Sequence, residues 1–84
     1  MSRKRKVLQE ILSGTADADI RFRDLRSLLK ALGFDQRTKG DHYIFTRDDV
    51  VEIINLQPRG SLAKPYQVKQ VRELILKYRL GDLL

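Results

Sequence analysis

At Gly33 the hydrophobic period of this chain changes, and that change limits the fold more than any other feature. Before it, Phe22, Leu25, Leu28, Leu29 and Leu32 recur at intervals of three and four, the spacing of one helical face, and Gly33 then stands where helices commonly stop. This predicts a helix over residues 22–32, with Asp24 in its first turn and Lys30 in its last, each suited to the helix dipole. After Gly33 come three short runs, residues 34–39, 42–47 and 50–57, separated by Gly40-Asp41 and Asp48-Asp49. They predict a three-stranded antiparallel meander.

Two more helical patterns flank this unit. Val7, Leu8, Ile11 and Leu12 form a stripe within residues 3–13, closed by Ser13-Gly14. Thr15 to Asp19 is small and acidic without periodicity, so residues 1–19 read as a basic helix and connector attached to a domain over residues 20–84, removable without unfolding it. Pro65 suits the first position of a helix over residues 65–79, with Val68, Val71, Leu74, Ile75 and Tyr78 on its apolar stripe. Two helices on one face of three strands make a two-layer α+β fold, and the order helix-strand-strand-strand-helix over residues 22–79 matches the double-stranded-RNA-binding topology.

Composition narrows the chemistry. Eighty-four residues, 42% of them apolar and none tryptophan, support one small core and no separate cofactor domain. With no cysteine and one histidine, the chain offers no disulfide framework, no thiol nucleophile and no metal cage of the usual spacings. No cofactor is expected. No apolar run approaches the roughly 20 residues that span a bilayer, and the basic start is not followed by a secretory apolar region, so a cytoplasmic location is expected. The net charge of +6 is uneven. It gathers in Arg3 to Lys6 and in residues 56–81, net +5, whereas residues 7–55 carry net −2. A polyanion would meet two basic zones, although exposed lysines also serve solubility alone.

His42 is the one side chain whose ordinary titration, near pH 6.5, suits proton transfer at neutral pH, and it opens a strand directly after a turn. Strict alternation puts His42 with Ile44 and Thr46 on an accessible face, and Tyr43 with Phe45 against the helices. A lone histidine in a turn is also commonly an ordinary surface residue. The loop over residues 57–65 brings Arg59 and Lys64 to the start of the last helix, where a nucleic-acid phosphate can bind, and Lys69 adds charge one turn further on. That loop lacks the Walker spacing expected for ATP. Phe22, Phe34, Tyr43 and Phe45 stand at core spacing, which favours packing over base stacking.

The segments LRSLLKALGF, RTKGDHYIF and INLQPRGSLAKPYQVKQVREL together resemble the HicA-like toxins of bacterial toxin-antitoxin systems, over about residues 22–79. The resemblance rests on a glycine and histidine separated by one residue and followed by an aromatic or aliphatic run, here Gly40-Asp41-His42-Tyr43-Ile44-Phe45. It implies a ribosome-independent mRNA interferase with a double-stranded-RNA-binding-like fold, inhibited by a HicB-like antitoxin, and it gives His42 the catalytic position. Asp41 departs from the family's usual serine and sets beside the histidine a carboxylate that repels a substrate phosphate. The helix over residues 3–13 is an addition to the family core.

The expected reaction is metal-independent attack of a ribose 2′-OH on the adjacent phosphate, with His42 transferring the proton and Lys39, Arg59 and Lys64 holding the phosphate. Tyr43 or water would be the second proton-transfer group. Two other readings stay open: an RNA-binding module without activity, which Asp41 favours, and a basic subunit that meets an acidic protein.

Overall fold

The computed structural model describes residues 2–84; Met1, the first residue of the basic N-terminal segment, lies outside the described residues. Three helices and three strands follow in the order α1 (Arg3–Ser13), α2 (Phe22–Ala31), β1 (Asp35–Lys39), β2 (His42–Arg47), β3 (Val50–Leu56) and α3 (Pro65–Lys77), with short 3-10 turns at Asp17–Asp19 and Leu80–Leu83. The fold is α+β with one antiparallel sheet in the order β1-β2-β3.

Local chemistry sets most boundaries. Ser2 caps α1 by accepting from Arg5 N at 3.2 Å. At the end of α2, Phe34 N bonds Leu29 O and Gly33 N bonds Lys30 O, a Schellman ending that requires the left-handed φ of 91° at Gly33. A side chain there would also press on Arg47, whose Nε lies 3.1 Å from the position a Cβ would take. The helix predicted over 65–79 stops at Lys77 instead. Arg79 turns left-handed, φ 53°, and the chain tucks Leu80 into the core, 2% exposed.

The strands pair as the turns dictate. Asp35 faces Thr46 and Lys39 faces His42, so Gly40 and Asp41 form a two-residue loop with positive φ at Gly40. Between β2 and β3 the register slips: Phe45 faces Ile54 but Arg47 faces Val50, leaving extra β3 residues opposite Thr46. Parity survives the slip. Phe45, Val50, Ile54 and Leu56 are buried against Phe22, Leu25, Leu28 and Leu29 of α2 and Val68, Val71, Leu74 and Ile75 of α3. The opposite face is open, with Val51 88% and Ile53 63% exposed.

The N-terminal segment joins the same core. Val7, Leu8 and Ile11 of α1 are buried with the residues of α2 and α3, while Leu12, expected on that stripe, is 38% exposed because the buried face is narrower than four residues. The stretch expected to be a plain connector is gripped by α3. Arg72 donates from Nη1 to Asp17 Oδ1 at 2.8 Å and from Nη2 to Asp17 Oδ2 at 3.2 Å, and Nη1 also reaches Ile11 O. Among the described residues no helix is long and apolar enough to cross a membrane.

Candidate functional site

The β1–β2 hairpin carries His42 to one end of the sheet, on the open face. Its side chain is 49% exposed. Directly opposite on β1 stands Lys39, and Arg37, two residues back, shares the face. Asn55 of β3 pairs with Ile44, and its Oδ1 lies 3.2 Å from His42 Nδ1. With the amide oxygen toward the ring, Nδ1 is the donor, and the neutral imidazole keeps its lone pair on Nε2.

Nε2 faces the carboxylate of the turn. Asp41 Oδ1 is 3.7 Å away, too far for a hydrogen bond yet close enough to attract the ring once it is protonated. Asp41 is held by Gln57, whose Nε2 donates to Oδ2 at 2.6 Å. That hydrogen bond, with help from the charges of His42 and Lys64, keeps the Asp41 carboxyl below the ordinary carboxylate range. Asp41 is therefore an anion at neutral pH. Gln57 is itself fixed from behind: the buried Gln67 of α3, with its amide oriented to meet both groups, donates to Gln57 O at 3.2 Å and accepts from Gln57 N at 3.0 Å.

The basic residues predicted from sequence divide between two places. Lys39 flanks His42 on the sheet, and Lys64, which precedes α3, contributes its charge to keeping the Asp41 carboxyl low. Arg59 sits in a tight turn closed by Arg59 N to Leu62 O and Leu62 N to Arg59 O, and it borders a hollow shared with Pro65 at the start of α3. Lys69 lies on the exposed flank of α3 and takes no part in the His42 cluster of contacts. Tyr43 faces the helices, its ring 5.0 Å from Phe22 and 4.4 Å beneath the Arg26 guanidinium. It is on the wrong side of β2 to share a proton-transfer step with His42.

Asn55, Gln57, Gln67 and Arg37 did not emerge from the sequence. Three are amides with no spacing signature, and Asn55 meets His42 diagonally across the β2–β3 pairing, a neighbour on another strand that no local sequence pattern names. Among the described residues no three His, Cys, Asp or Glu side chains gather as a metal site. Compared with known proteins, the chain matches no family model, no curated protein and no solved structure.

Proposed function

We propose that the chain is a HicA-like toxin with a double-stranded-RNA-binding-like fold: an endoribonuclease that cuts mRNA in the cytoplasm with His42 as its proton-transfer residue. The observation that carries this reading is the His42–Asn55 contact, 3.2 Å, on an accessible face flanked by Lys39. It leaves Nε2 as the basic nitrogen, and Lys39, opposite His42 in the sheet register, supports the reading with a cation for a phosphodiester.

In the reaction, Nε2 takes the proton of a ribose 2′-OH as that oxygen bonds to the adjacent phosphorus. The bond from phosphorus to the 5′-oxygen breaks, and the leaving oxygen takes a proton from water or from the imidazolium. The products are a 2′,3′-cyclic phosphate and a 5′-OH. Lys39 and Lys64 neutralise charge on the non-bridging oxygens. DNA is spared because it lacks the nucleophile.

A HicB-like antitoxin would silence the site by covering this end of the sheet. Val51 and Ile53, exposed on the same open face toward the other end of β3, would give such a partner apolar surface to cover as well. A second reading has its own support: Asp41, ionised and 3.7 Å from Nε2, opposes a phosphate there, as suits an RNA-binding module without activity. Incubating parent and His42→Ala proteins with end-labelled RNA separates them. Cleavage by the parent alone supports the ribonuclease; retention of intact RNA by both supports the binding module.

A further inference from the structure

On the helix side of the same sheet end, a cleft of about 470 Å³ opens between the start of α2 and the turn over residues 59–62. Arg21 and Arg23 stand on it, both exposed, and among the described residues neither guanidinium pairs with a carboxylate. No acid lines the cleft. Its apolar walls are Phe22, Tyr43 and Pro58, and Ser61 adds an exposed hydroxyl.

The walls are preformed. Tyr43 is held edge-on to Phe22 and under Arg26, which in turn donates from Nε to Gln36 Oε1 at 3.2 Å. The turn is pinned to the start of α2 by Phe22 N to Ser61 O at 2.9 Å and to the residue two before it by Ala63 N to Ile20 O at 2.8 Å. Phe22 N is thus already used, and the two guanidinium groups are the charged donors of the cleft. Gly60 leaves the mouth open, with nothing within 4 Å of where its Cβ would stand.

Two uncompensated planar cations beside flat apolar groups match an anion attached to a planar ring. Inorganic phosphate would use the arginines and leave the aromatic wall idle. An apolar ligand would do the reverse. The cleft also adjoins the His42 site across one rim, because Tyr43 follows His42 in β2 and Pro58 follows the Gln57 that holds Asp41. A strand crossing that rim would have one phosphate at His42 and its neighbouring nucleotide in the cleft.

We propose that this cleft is a nucleotide subsite, taking the phosphate and base of the nucleotide next to the bond presented to His42. The proposal rests on the reading that RNA is the substrate. The test is an amide NMR titration of the full chain with adenosine 5′-monophosphate, with inorganic phosphate and adenosine as separate arms. The nucleotide should shift the amides of residues 21–23, 43, 60 and 61 at concentrations where phosphate or adenosine alone does little. Arg21→Gln combined with Arg23→Gln should weaken binding about tenfold or more while leaving distant amides in place. Unmoved amides, equal shifts from phosphate alone, or unchanged binding by the double variant would overturn it. RNA cleavage by the same proteins tells the two proposals apart. A chain that binds the nucleotide but does not cut keeps the subsite and loses the ribonuclease; His42-dependent cutting with KM unchanged in the double variant keeps the ribonuclease and loses the subsite.

Discussion

In the proposed reaction His42 needs one ring nitrogen spare, and Asn55 supplies that condition by engaging Nδ1. Asn55 touches no reacting atom in this account; it is a positioning residue. Asn55→Ala should lower kcat roughly tenfold to a hundredfold through lost ring orientation, with KM and RNA retention unchanged, as steady-state cleavage would read. Asp41 acts the other way. A carboxylate about 4 Å from the substrate phosphate opposes it by about 1 kcal/mol in water, so Asp41→Ser should lower KM about fivefold, read from cleavage at fixed low salt. Unchanged or weaker RNA affinity would remove the repulsion from the account. Of these residues His42 and Asp41 were legible in the sequence, because a turn and an alternating strand place them by local rules. Asn55 and Gln57 were not, because their roles depend on which residue of the third strand and its following loop meets the hairpin, a non-local fact without a sequence period.

Among the elements, α2 and the β1–β2 hairpin were the most legible, since a helical stripe ending at Gly33 and a Gly40 turn are each encoded within a few residues. The β2–β3 slip and the buried Gln67 were hidden, because neither an extra strand residue nor an amide in a helix has a sequence period. The far end of β3 is tied to α3 by Glu52, which accepts from Lys77 Nζ at 2.7 Å and from Tyr78 OH at 2.6 Å, while Tyr78 OH accepts from Val51 N at 3.3 Å. These donors pull the Glu52 carboxyl from 4.5 down to about 2. A carboxyl depressed by folding stabilises the native state above its unfolded value and loses that contribution as pH falls through the folded one. Thermal melts from pH 7 to 2 should therefore show a loss below about 4.5, centred toward 2, that Glu52→Gln reduces. The variant should also be less stable than the parent at pH 7, whereas parallel pH profiles would show that the clamp contributes nothing.

At the scale of the whole molecule, α1 decides how small the chain can be made. Removing residues 2–14 strips Val7, Leu8 and Ile11 from the shared core, each about 1.5–3 kcal/mol of burial, and takes the Ile11 carbonyl from Arg72. Small domains hold only about 5–15 kcal/mol in all, so the truncated chain should melt far lower or be unfolded at 37 °C by circular dichroism. A truncation that melts like the parent would restore the reading of this segment as a removable appendage. The packed face of α1 was visible as a stripe in the sequence, but its partners were not, since nothing in an amphipathic pattern names the surface it meets. The two faces at the hairpin end give the molecule its proposed work: His42 with Asn55 and Lys39 on the open side, and the arginine-lined cleft behind. The most direct test of the central claim is fragment-end analysis of an RNA, and of the same sequence as DNA, after incubation in excess EDTA with the parent and with His42→Ala. We expect 2′,3′-cyclic or 3′-phosphate ends paired with 5′-OH ends, from RNA only and from the parent only. Intact RNA bound by both proteins, or equal cleavage by both, would contradict it.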